Sequence, residues 1–327
     1  MKKYRMTALL TAGALLIAGT AGGCSFGTSS EMKEYRSRGI EQMQEGSYDS
    51  AAKTLQKALD AADGKTSDMS EDISYYLALA YYKSGNSDKA IAVYTDLMKN
   101  DKEDSYKPYY LRGCVYAREN ELTKAAEDFD RAVKRNPKDY ELCISCYEAM
   151  RDAGETGRGE TYLRKGLNIA GNSADDLCEK GYISYLLGDK KTARKQLAEA
   201  VEGDSVQAML YQGVVYAADG DRTKAKDSFD EYASRNRKNG DNLQKLGAAA
   251  LNSGLTEAAI SYYQQAVDVL GDSSDSSKEA RKDLIAAYEQ KGDFEKAYKL
   301  MSKYASDYPE DKDAQNELTF LKTRISD

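Results

Sequence analysis

The sequence predicts an all-α chain: an α-solenoid of about eight stacked helix pairs, closed by a C-terminal capping helix. Two observations carry that expectation. First, a lone glycine, once replaced by asparagine, recurs at Gly46, Gly85, Asn120, Gly154, Gly188, Gly220, Gly254 and Gly292, at intervals of 32 to 39 residues. Five residues after each stands a small residue: Ala51, Ala90, Ala125, Gly159, Ala193, Ala225, Ala259 and Ala297. A fixed small-residue phase at such a period belongs to repeat arrays, in which a two-helix unit cannot bury its apolar face alone and stacks on its neighbours. Second, Ala, Leu, Glu, Lys and Gln dominate and only 3 of 327 residues are proline, a composition that favours helix throughout.

The marker suits a helix C-cap, where the left-handed conformation favours glycine and tolerates asparagine. Seven residues before it lie Gly39, Ala78, Gly113, Tyr147, Gly181, Gly213, Gly247 and Ile285, small in six of the eight cases. Nine after it lie Leu55, Tyr94, Phe129, Leu163, Leu197, Phe229, Tyr263 and Met301, all large and apolar or aromatic. Twelve after it, Ala58, Ala132, Gly166, Ala200 and Ala266 are again small. Each repeat therefore reads as a helix of about 14 residues, a tight turn and a second similar helix, with small sites where helices approach.

This pattern resembles the tetratricopeptide repeat. The third unit matches best, through Tyr109, Leu111, Gly113, Tyr116, Ala125, Phe129, Ala132 and Pro137, and the last unit ends in Pro309 at the same phase. The resemblance covers residues 31–309 in eight units and implies a right-handed superhelix. Units 4 and 8 depart at the early small site, with Tyr147 and Ile285, so their local packing is expected to differ.

Two junctions exceed the 34-residue period of that family. Asp63 to Ser70 and Gly271 to Ser277, rich in Asp and Ser, read as surface loops. Residues 310–327 read as the capping helix, with Ala314, Leu318, Leu321 and Ile325 on one face.

Residues 1–23 read as an export leader. Lys2, Lys3 and Arg5 supply the positive region and Ala8 to Ala18 the apolar stretch. Ala21-Gly22-Gly23-Cys24 resembles the bacterial lipobox, departing from it where Ala21 stands in place of the usual Leu or Val. The resemblance implies cleavage before Cys24 and lipid attachment to it. An ordinary cleaved leader and an uncleaved anchor, with Cys24 incidental, are the other readings; the short, glycine-interrupted apolar run argues against a permanent span. A lipidated Cys24 places the protein on the cell membrane, facing outside the cytoplasm. Ser25 permits outer-membrane sorting in a two-membrane cell. Residues 24–30 then form a tether of roughly 20 Å at about 3.3–3.6 Å per residue.

The formal charge is −7, an acidic balance that repels phosphate backbones and excludes nucleic acid as the expected partner. Histidine is absent, which removes the commonest general base and metal ligand. No enzyme, cofactor or metal site is expected. Tyrosine, by contrast, reaches 26 residues. In tetratricopeptide arrays the first helices line the concave face. The resemblance therefore implies a partner-binding stripe of Tyr75, Leu79, Tyr82, Tyr110, Cys114, Ile144, Arg151, Tyr182, Tyr185, Leu210 and Val214, the alternative being that these side chains pack between neighbouring units. Lys83 and Arg118 sit at the phases of a carboxylate clamp, but the accompanying Asn residues do not. Cys143 and Cys146 share one helix. Cys143 and Cys178, at similar heights in adjacent first helices, are the best candidates for a disulfide, against buried thiols that act as small apolar residues.

The expected function is that of a membrane-anchored extracytoplasmic scaffold or adaptor that binds another envelope protein or peptide segment. A self-associating structural component of an envelope assembly is the alternative.

Overall fold

All eight markers adopt the left-handed backbone, with φ from 61° at Asn120 to 88° at Gly154. A Cβ disfavours that conformation, which is why glycine fills all but one of these turns. The carbonyls orphaned at the helix end are met locally: in the fifth repeat Gly188 N–H donates to Tyr185 O and Asp189 N–H to Ser184 O. The next helix often starts at once on an aspartate cap. Asp189, Asp221 and Asp293 accept from the backbone N–H of Thr192, Lys224 and Lys296.

The computed structural model describes residues 30–62, 67–100, 105–271, 274–309 and 311–325. The leader, Cys24 and most of the tether lie outside the described residues. Those described form seventeen helices and no strand. They fall into two compact bodies, one ending at Ile169 and the other beginning at Ala170. The N-terminal body holds four pairs: α1 (Ser30–Gln44) with α2 (Tyr48–Asp60), α3 (Asp68–Lys83) with α4 (Ser87–Asn100), α5 (Lys107–Arg118) with α6 (Leu122–Arg135), and α7 (Tyr140–Asp152) with α8 (Thr156–Leu167). The C-terminal body holds four more: α9 (Ala174–Leu186) with α10 (Lys190–Glu202), α11 (Val206–Ala218) with α12 (Arg222–Arg235), α13 (Gly240–Asn252) with α14 (Thr256–Leu270), and α15 (Asp275–Lys291) with α16 (Phe294–Asp307). A last helix, α17 (Lys312–Arg324), follows.

The two positions that flank each marker interlock. A Cβ on Gly39, Gly113, Gly181, Gly213 or Gly247 would lie 2.3–2.8 Å from Leu55, Phe129, Leu197, Phe229 or Tyr263 respectively. Each large residue on a second helix thus sits on bare backbone of its own first helix. The alanines five after the markers are fully buried in every repeat that has one. The fourth repeat keeps the joint by a reciprocal exchange. Tyr147 replaces the small residue, and Gly159 replaces the usual alanine, where a Cβ would lie 2.9 Å from Tyr147 O. In the eighth, Ile285 meets a second helix carrying the flexible Met301, and both are buried.

Successive repeats are tied by polar contacts between second helices. The Tyr162 hydroxyl donates to Ala126 O at 3.1 Å, Lys165 reaches Asp130 at 2.6 Å, and the Tyr262 hydroxyl donates to Asp230 at 2.7 Å. A well-shielded ion pair lies in repeat 3, where Arg112 grips both oxygens of Asp128 and donates to Thr95 of the repeat before. Asp128 is 1 % exposed.

Both expected loops end earlier than their composition suggests. Ser67 caps α3 in a capping box with Ser70, and Ser274 caps α15. Ser and Asp are favoured at N-caps as well as in loops, so composition alone cannot separate the two. Residues 63–66 and 272–273 lie outside the described residues. Helix α17 buries Ala314 and Leu321 as expected, whereas Ile325 lies past its end and is exposed.

A tyrosine cleft on the first helices

The C-terminal body carries a cleft of about 500 Å³ lined by α9, α11 and α13, the first helices of three consecutive repeats. Four of the residues expected to meet a partner line it: Tyr182, Tyr185, Leu210 and Val214. Tyr182 and Tyr185 are three apart on α9, and Leu210 and Val214 four apart on α11, so each pair shares one helix face. Ala217, Ala218 and Ala249 leave the space, and Asn252 and Ser253 give the far edge its polar groups.

Tyr211 completes the wall, and the phase argument did not include it. It stacks on Tyr182 with ring centroids 4.0 Å apart, and Tyr182 in turn lies 6.1 Å from Tyr185. The signal was present in the sequence: Tyr211 precedes Val214 by one helical turn, so the lining face of α11 is two residues wide. Burial, with Glu179, Tyr182 and Cys178 nearby, holds the Tyr211 hydroxyl above the ordinary phenol range, so it stays protonated as a donor.

The N-terminal body treats its share of the stripe differently. Tyr75, Leu79 and Tyr82 of α3 are half-buried. The Tyr75 ring tilts against Tyr94, and Tyr82 accepts a hydrogen bond from Arg118 at 3.0 Å, with the guanidinium over its ring. Arg118 is thereby engaged in crossing from α5 to α3. Arg151 bonds Asp152 beside the Tyr147 ring. Tyr110 and Ile144, 6 % and 8 % exposed, are placed in the interior. Tyr110 packs on Phe129 at 5.9 Å, so its phase marks a core position here. Leu210 is just as buried but keeps an edge on the cleft.

The cysteines among the described residues are free thiols. Cys143, Cys146 and Cys178 are buried; no bond joins Cys143 to Cys178. Burial pushes Cys143 up to about 11 and Cys114 and Cys178 to about 12. No helix among the described residues is long and apolar enough to cross a membrane.

Family models described as tetratricopeptide repeats match residues 42–107, 106–139, 207–238 and 245–313, together more than half of the chain. The protein SLOW GREEN 1, chloroplastic, of Arabidopsis thaliana is 30% identical over 71 residues, and the match spans only 22% of this chain and 22% of that protein. Among solved structures, a tetratricopeptide repeat protein from Parabacteroides merdae is 14% identical over 79% of this chain and 100% of that one, with a TM-score of 0.43. MamA (41-end) from Desulfovibrio magneticus RS-1 is 17% identical over 54% and 97%, with a TM-score of 0.36. Pseudomonas aeruginosa pilF is 17% identical over 65% and 97%, with a TM-score of 0.35. With repeats of one type recurring through both bodies, the chain belongs to the tetratricopeptide repeat family and is a protein–protein interaction scaffold.

Proposed function

We propose that this protein is a membrane-tethered, extracytoplasmic adaptor that captures a segment of another envelope protein on the first-helix face of its repeats. The observation that carries the reading is the cleft of Tyr182, Tyr185, Tyr211, Leu210 and Val214. It offers large aromatic surface on rigid helices, so a bound segment gains contact area while the receptor loses little conformational freedom. Small residues behind the rings supply depth, and Asn252 and Ser253 can fix the direction of an extended backbone. The work done is binding, with no turnover.

The anchor in this reading is the lipid on Cys24, supported by the basic start, the apolar stretch and the small residues before that cysteine. More than one acyl chain on a single residue holds a protein to a bilayer far more firmly than one chain does. The short tether keeps the array beside the membrane.

Two measurements test the proposal together. Mass spectrometry of the N-terminal peptide, with membrane fractionation of wild type and Cys24→Ala, should show a lipidated Cys24 and release of the variant. Size measurement of the delipidated protein should give a monomer. An unmodified N-terminus refutes the anchor, and a defined oligomer replaces the adaptor with a structural component.

A further inference from the structure

The cleft is one part of a longer first-helix face, and the rest of that face is charged. Nine residues before the turn glycine is the phase at which Tyr211 walls the cleft. The same phase holds Glu179 on α9, Lys245 on α13 and Asp283 on α15. Thirteen before the glycine, one helical turn nearer the helix starts, stand Asp175, Gln207, Asp241 and Glu279. Five acids and a single lysine therefore share this face of the C-terminal body. The residues that line the cleft itself carry no charge.

Two of the carboxylates are oriented by neutral donors. Ser205 Oγ donates to Asp175 at 2.9 Å, and Gln244 of α13 donates across to Asp283 of α15 at 2.7 Å. Such contacts fix the oxygens and leave the charge in place. Glu179 lies near enough to the cleft wall to add to the upward push that burial gives the Tyr211 hydroxyl. Burial pushes Asp283 up to about 6 against the Gln244 donor, with Glu279 adding to the rise. At neutral pH Asp283 is a poorly hydrated anion, which a cation stabilises more than it would an exposed one.

We propose that the segment captured in the cleft is extended and basic, alternating Lys or Arg with apolar residues. Its cations meet the acid row while its apolar side chains enter among the tyrosines. This rests on the adaptor reading above and gives that adaptor a partner chemistry.

Successive side chains of an extended chain point to opposite sides, which matches an acid row running beside an apolar cleft. With neighbouring first helices about 8–10 Å apart, the four repeats span roughly 24–30 Å, the length of about eight extended residues. The rings add to the attraction, because a tyrosine face also takes a guanidinium, as Tyr82 takes Arg118 at 4.9 Å. An acidic segment would meet like charge along the same row.

Selection of random nine-residue peptides on the full-length protein, with Tyr185→Ala as the counter-target, tests this. Peptides that depend on Tyr185 should carry Lys or Arg at alternate positions, and their affinity should fall as salt rises. They should bind about tenfold more weakly to a variant carrying Glu179→Gln and Asp283→Asn. Asp241→Asn, at an exposed position, serves if that variant loses its helical signal. Tyr185-dependent peptides that are neutral or acidic, or basic ones indifferent to these substitutions, overturn the basic partner and leave the cleft standing. The absence of any Tyr185-dependent peptide overturns the cleft reading together with it.

Discussion

Tyr182 of α9 lies flat on Tyr211 of α11, with ring centroids 4.0 Å apart and planes 7° from parallel. The stack crosses from one repeat to the next, so one contact both joins the helices and builds a wall of the cleft.

Tyr185 and Tyr211 should therefore respond differently to truncation. Tyr185→Ala should weaken capture of a partner segment about tenfold and leave the helical signal and melting unchanged. Tyr211→Ala should lower both, since it also removes a stack worth about 0.5–1.5 kcal/mol beyond its area. Binding and circular dichroism on the two variants separate the roles, and equal melting losses in both would assign the whole wall to packing.

Gly213 and Gly220 test two different demands for glycine. A Cβ at Gly213 would meet the Phe229 ring at 2.3 Å, so Gly213→Ala should cost about 1–3 kcal/mol through overpacking. At Gly220 nothing lies within 4 Å, but φ is +82°, so Gly220→Ala should cost only about 1–2 kcal/mol through backbone strain. Denaturant melts of both variants check the order.

Asp128→Ala should destabilise the N-terminal body by about 3–5 kcal/mol, because it strands the part-buried Arg112 without its partner. Removing Asp96, whose exposed pair with Lys99 is open to water, should cost less than about 1 kcal/mol. Comparable losses would show that Arg112 finds water or another acceptor.

Thiol counting settles the sulfur chemistry. With Cys114, Cys143 and Cys178 pushed up to about 11 or 12, native protein at pH 8 should react slowly with a thiol reagent, since the thiolate is the reactive form. Denatured, unreduced Cys24→Ala protein should release four thiols. A count of two would establish a disulfide.

The frame of this fold was legible because its joints are local and repeated. The glycine at each turn, the bare backbone beneath Leu55 or Phe129 and the buried alanines all follow from one phase. Tyr147 read alone looked like a break in that phase; its partner Gly159 shows the repair, a volume exchange between two helices that no single position reveals. The face was only half legible. Phase placed Tyr182, Tyr185, Leu210 and Val214 on the cleft, yet the same phase put Tyr110 and Ile144 in the interior. Tyr110 is covered by Phe129 of its own repeat, whereas Ala217, Ala218 and Ala249 leave the space of the cleft open.

Site-specific photocrosslinking in living cells tests the central claim most directly. A photoreactive residue in place of Tyr185 or Val214 should capture one partner protein, and the Cys24→Ala background should abolish that product. The same probe at exposed Lys226 of α12 should give none. Crosslinks of equal yield from both positions, or products indifferent to Cys24, would contradict an adaptor that works from the membrane through its first helices.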